Sequence, residues 1–239
     1  MHNPTCLCCN GLSRRALFGA ALAAAAVPSG AAFAADPVAK SNLTPDQALQ
    51  RLKEGNEHFK TEAPFRAERG RDRRVELARG QAPFCVLVGC SDSRVSPELL
   101  FGRGLGELFI VRNAGNTVDT AALGSVEYGV GALGCPLVVV LGHEKCGAVA
   151  AAVDVVEKNA TFPGVIGEMV QPIVPAVLSV RGQGGDLLDN AVRANAMRVA
   201  ARLKGQSSVI QDALRAGRVK VVAARYDLDD GDVDWFESV

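Results

Sequence analysis

Four short apolar runs, 84–88, 108–111, 137–141 and 219–224, are bounded by glycine or polar residues, and none alternates strictly between apolar and polar positions. A run that stays apolar on both faces suits a strand covered on both sides, as in a buried parallel sheet. Between and after these runs, 121–132, 148–158, 186–204 and 207–216 carry apolar residues at helical spacing. Alternation of strands and helices predicts an α/β fold, with a central, mostly parallel sheet of four strands flanked by helices and joined by right-handed crossovers. Asp229-Asp230-Gly231 is a hairpin turn signal, which predicts that 233–236 folds back as an antiparallel edge strand.

Upstream, Thr44-Pro45-Asp46 reads as a helix start, with Thr44 as cap and proline in the first turn. The helix runs to about Phe59, with Ala48, Leu49, Leu52 and Phe59 on its apolar stripe. The arginine-rich stretch 66–79 alternates in charge sign, the pattern of a solvated helix. Without an internal repeat or a linker, 35–239 reads as one domain.

The first 34 residues read differently. Arg14-Arg15 precedes an apolar, alanine-rich run at 16–27, and Ala32-Phe33-Ala34 follows it. Basic region, short apolar core and small-x-small site are those of a cleaved leader. A core of this length is too short to span a bilayer. The arginine pair resembles a twin-arginine export signal, implying the periplasm or another exported location. No cysteine follows the core to suggest a lipid anchor.

The full chain has 26 basic and 26 acidic residues, and loss of the leader leaves a charge of −2. That balance argues against a nucleic-acid binder. Seven cysteines and three histidines are present. Cys6, Cys8, Cys9 and His2 lie in the leader. Cys85 and Cys135 read as core residues at strand starts, and His58 as a surface residue of the first helix rather than a proton relay.

Two strands end in sequence that can do chemistry. The first runs into Cys90-Ser91-Asp92-Ser93-Arg94, the other into His143-Glu144-Lys145-Cys146-Gly147. In an open parallel sheet, ligands bind beyond the carboxyl ends of the strands, so neighbouring strands would aim both motifs at one crevice. Cys90, His143 and Cys146 are ligand types that zinc prefers, and three protein ligands leave a fourth position open, the catalytic pattern. Arg94 can hold the Asp92 carboxylate bidentately and keep it ionised beside a metal site. Each residue alone would read as core, and Asp92–Arg94 alone as a structural ion pair.

Together these motifs resemble a β-class carbonic anhydrase. The likeness extends through Phe109-Ile110-Val111-Arg112-Asn113-Ala114-Gly115-Asn116 and Glu127-Tyr128, and weakly to Tyr226-Asp227-Leu228. It implies Zn2+ on Cys90, His143 and Cys146, and hydration of carbon dioxide to bicarbonate and a proton by zinc-bound hydroxide. It implies a catalytic dyad of Asp92 and Arg94, with Asp92 able to become a fourth zinc ligand in a closed state. Gln81, Phe109, Tyr128 and Gly147 would form the substrate pocket, made slightly roomier by Ala114 where the family often has valine. Leu87 stands where a bicarbonate-regulated subgroup has tryptophan, which speaks against that regulatory site. The resemblance also implies a homodimer or multiple of dimers, with the pocket at the subunit boundary. The helix at 44–59 would then embrace the partner, although its stripe suits packing on its own subunit equally well. Two rivals stand beside this reading: a related linear substrate such as carbonyl sulfide or carbon disulfide, and a zinc-storage protein. No tunnel-forming extension favours the former, and the presence of Asp92 and Arg94 disfavours the latter.

Overall fold

The apolar runs become strands. The computed structural model describes residues 40–63 and 67–236, so the leader lies outside the described residues. Strands β1 (Cys85–Gly89), β2 (Leu108–Arg112), β3 (Leu137–His143), β4 (Lys220–Tyr226) and β5 (Val233–Phe236) form one sheet. Their order is β2-β1-β3-β4-β5, with β1 to β4 parallel and β5 antiparallel to β4. This is the predicted arrangement of four parallel strands and an antiparallel edge. β1 and β3 are buried at every position. β2, at the sheet edge, is only half-buried and ends in an exposed arginine. The chain steps from β1 to β2 on one side and then crosses over β1 to β3. The switch point of the sheet, where ligands collect, therefore lies between the carboxyl ends of β1 and β3.

Helix α1 (Pro45–Lys60) opens with a capping box. The Gln47 N–H donates to Thr44 Oγ1 at 3.2 Å, and the Thr44 N–H donates to Gln47 Oε1 at 2.9 Å. Ala48, Leu49 and Leu52 bury into a cluster that includes Leu87, Leu100 and Phe101, so the stripe packs on its own subunit. Phe59 stays partly exposed and meets the Tyr226 ring edge-on. Helix α2 (Arg71–Leu77) is shorter than the predicted 66–79 and buries none of its residues, as a solvated helix should. Gly70 caps its start, and Gly80 follows with a left-handed backbone.

Helices α3 (Pro97–Leu100), α4 (Thr120–Gly131) and α5 (Gly147–Lys158) follow the first three strands in turn. Before α8 (Leu187–Gln206) and α9 (Ser208–Arg215), the chain makes α6 (Ile166–Val170), a 3-10 turn over Gln171–Ile173, and α7 (Val174–Val180). Val170, Ile173, Val177 and Val180 join Cys90, Cys146 and Val149 in one buried cluster. This helical wall therefore backs the switch point. Cys85 and Cys135 are buried free thiols, as core residues should be. Burial pushes Cys85 well up and Cys135 up to about 12.

Candidate metal centre

Cys90 is the first residue beyond β1, and His143 is the last of β3. The register pairs Gly89 with Leu141, which sets Cys90 and His143 close together at adjacent strand ends. Lys145 takes a left-handed backbone, φ 53°, as the chain reverses from β3 into α5. Cys146 caps the start of α5 and is buried. The ligand atoms of Cys90, His143 and Cys146 lie within 4.8 Å of one another, and the two sulfurs are 3.9 Å apart.

His143 is wholly buried. Its Nδ1 lies 2.8 Å from the Glu144 carbonyl, which can only accept, so Nδ1 carries the proton. The lone pair is then on Nε2, a buried atom with no hydrogen-bond partner. A buried base left unpaired beside two thiols is costly unless something binds there, and a carbonyl-anchored imidazole is the usual support of a metal ligand. Cys146, by its hydrogen bond, lowers the Cys90 thiol to about 4. The same bond, then burial, pushes Cys146 upward. The donor set thus fits a thiophilic ion with one position to spare.

Asp92 borders this cluster. Arg94 donates from Nε to Oδ1 at 3.0 Å, from Nη2 to Oδ2 at 2.7 Å, and from its backbone N–H to Oδ1 at 2.9 Å. The Arg94 side chain, followed by its backbone N–H, holds the Asp92 carboxyl well below the usual range. Asp92 Oδ2 lies 3.8 Å from His143 Nε2. Arg94 also donates to the Lys145 carbonyl at 3.3 Å, which ties the two motifs together. Gly147 begins α5 beside the ligands, and a Cβ there would meet nothing within 4 Å, so the backbone faces open space.

Gln81, Phe109 and Tyr128 do not join this cluster in one chain. Phe109 pairs with Val86, near the opposite end of β1 from Cys90. Gln81 is exposed and precedes β1 altogether. At about 3.3 Å per residue, the length of β1 alone separates that end from Cys90 by about 16 Å. Phe109 and Tyr128 do pack together, with ring centroids 6.1 Å apart. Leu87 is fully buried, and one of its methyls would lie 3.2 Å from a Cβ on Gly89.

Two supports of the site are not singled out by sequence. Arg112 donates from Nε to the Cys90 carbonyl at 2.8 Å and from Nη2 to the Asp92 carbonyl at 2.6 Å, bracing the loop between them. Its signal is a lone cation closing an apolar run. The Gly115 N–H donates to Cys90 Sγ at 3.3 Å, a backbone contact with no sequence signal of its own.

The family model described as carbonic anhydrase matches residues 85–233. Carbonic anhydrase 2 of Mycobacterium tuberculosis is 40% identical over 190 residues, covering 80% of this chain and 92% of its own. Among solved structures, the β-carbonic anhydrase CafA of Aspergillus fumigatus superposes with a TM-score of 0.62 at 27% identity, over 81% of this chain and 91% of that one. One from a study of two tetrameric β-carbonic anhydrases of Sordaria macrospora gives a TM-score of 0.61 at 25% identity, over 68% and 85%.

Proposed function

The chain belongs to the carbonic anhydrase family, in its β class, and from that premise we propose that it hydrates carbon dioxide reversibly to bicarbonate and a proton at a zinc site. Cys90, His143 and Cys146 would hold the ion. When bound, zinc supplies the Lewis acidity that makes water a nucleophile near neutral pH. The chain's own residues supply aim. Ionised Asp92 accepts a hydrogen bond from the nucleophile and turns its lone pair toward carbon. Arg94 fixes Asp92 and stays half-exposed toward solvent. Release of Asp92 from Arg94 would free the carboxylate to become a fourth ligand and close the site.

A second subunit completes the pocket in this reading. β2 is a sheet edge with half-buried residues. Two such edges meeting antiparallel about a two-fold axis would carry the amino end of one β2 to the carboxyl end of the other. Gln81, Phe109 and Tyr128 of the partner subunit would then face Cys90. The Sordaria enzymes are tetramers, a multiple of dimers. Export by the twin-arginine route, which carries folded proteins, would let zinc load in the reducing cytoplasm before the thiols meet an oxidising compartment. Among the described residues, no helix is long and apolar enough to cross a membrane.

The partnerless His143 Nε2, buried between two thiols and an arginine-held carboxylate, carries this reading. Zinc content and stopped-flow hydration of carbon dioxide across pH, measured beside Cys90→Ser, test it. A zinc-free active protein, or a zinc-loaded one inactive at every pH, would overturn it.

A further inference from the structure

Asn195 is the only polar residue on the buried face of α8, among Ala191, Val192, Ala196, Val199 and Ala200. It is 1% exposed. A buried amide costs free energy unless its hydrogen bonds are made. Asn195 Nδ2 donates to the Gly115 carbonyl at 2.9 Å, and the N–H of that same Gly115 donates to Cys90 Sγ at 3.3 Å. The chain of contacts runs from α8, through a turn, to a candidate ligand sulfur.

Gly115 is where such a chain needs an anchor. Its φ is 66°, and an added Cβ would lie 2.6 Å from Ile173 Cδ1 and 3.0 Å from Ala148 Cβ, so only glycine fits. Glycine is also the residue freest to rotate away. Pinning its carbonyl restrains the rotations about φ and ψ that would carry its N–H off the sulfur. A hydrogen bond to a thiolate draws some charge from it and also holds the sulfur where the ion needs it, and loss of that placement is what speeds release; such outer contacts orient and tune metal sites.

We infer that Asn195 is a positioning residue of the metal centre, acting through Gly115 on Cys90. The inference rests on the metal-site reading above. Asn195→Leu and Asn195→Ala remove the donor. Both are expected to release zinc at least about tenfold faster to a chromophoric chelator, the scale of outer-contact losses. With cobalt in place of zinc, both should move the thiolate-to-metal charge-transfer band to lower energy, because the sulfur becomes more electron-rich. Asn56→Leu is the control. Asn56 is equally buried, at 2%, and bonds the Gly231 carbonyl at 2.8 Å and the Val233 N–H at 3.1 Å. It should lose stability without moving band or release rate. All spectra are taken on folded protein isolated by gel filtration, so the alanine variant serves if the leucine variant fails to fold. Unmoved band and release rate in the Asn195 variants, or equal changes in Asn56→Leu, would overturn the inference. So would failure of both Asn195 variants to fold, since that outcome makes the role architectural. A wild-type chain that takes up neither ion would overturn the metal-centre reading itself.

Discussion

Arg94 holds both carboxylate oxygens of Asp92, at 3.0 and 2.7 Å, while Asp92 Oδ2 stays 3.8 Å from His143 Nε2. The carboxylate is thus oriented without being a member of the ligand cluster. Asp92→Ala should therefore retain stoichiometric zinc, read by atomic emission, and lose at least about 100-fold in hydration rate, the low end for a positioned proton-handling group. Full activity in this variant would remove Asp92 from the mechanism.

The same pair gives the folded protein a pH dependence. Arg94 depresses the Asp92 pKa below its ordinary value of about 3.9. The native state then binds the proton less well than the unfolded state, so this contribution to stability is full above that value and fades as pH falls toward the native one. In urea titrations, Asp92→Asn should be less stable than wild type at pH 7, and the gap should narrow below about pH 4. A gap that widens on acidification would contradict the pairing.

The cysteines should separate by reactivity once metal is stripped. Cys90 is lowered to about 4 by its bond from Cys146, whereas Cys135 is pushed up to about 12 by burial, with Cys85 also well up. The thiolate is the nucleophile. Limited iodoacetamide treatment of the metal-free protein at pH 6.5 (roughly neutral, below an ordinary thiol's range) should alkylate Cys90 before Cys85 or Cys135, as mapped by mass spectrometry. Preloading with zinc should suppress the label. First modification at Cys85 or Cys135 would argue against this order.

Leu87 fills the middle of the sheet with no exposed surface, and one of its methyls would crowd a Cβ on Gly89 at 3.2 Å. Leu87→Trp should cost about 1–3 kcal/mol by overpacking, seen as a lower urea midpoint. An unchanged midpoint would show that the central sheet has room to spare.

A pocket shared across subunits can be tested by mixing defects. A Cys90→Ser chain lacks a complete metal set, and a Gln81→Ala chain lacks a pocket residue. In a mixed dimer one of the two sites combines the intact parts of both chains. Random pairing should restore about one quarter of wild-type activity when the two inactive chains are co-expressed. No recovery in dimers shown to be mixed would place Gln81 and Cys90 in separate roles.

Much of this site is legible in one dimension because its candidate ligands sit where buried apolar runs stop. Cys90 and His143 each follow or close a run that is apolar on both faces, and such ends converge in a parallel sheet. The edge position of β2 is less legible, since 108–111 is as apolar as the central runs. The wall of α6 and α7 is also hidden. Pro163, Pro172 and Pro175 break 159–185 into turns too short to show a helical period. Gly115 and Asn195 cannot be read at all, because their importance lies in which backbone atom each one meets. In the proposed dimer the placement of Gln81, Phe109 and Tyr128 would need a second chain, which no single-chain pattern encodes.

The sheet order also bears on synthesis. β1 is made first among the strands yet ends up between β2 and β3. Its Cys90 waits for His143 and Cys146, some 50 residues later. At about 5–20 residues per second, a ribosome needs about 3–10 s to make that interval. A nascent chain that stops short of His143 holds only one of the three residues of this cluster, and an ion captured there would be easily lost. At the proposed site, metal uptake would then follow the crossover that brings β3 beside β1, a late checkpoint of assembly rather than a seed of folding.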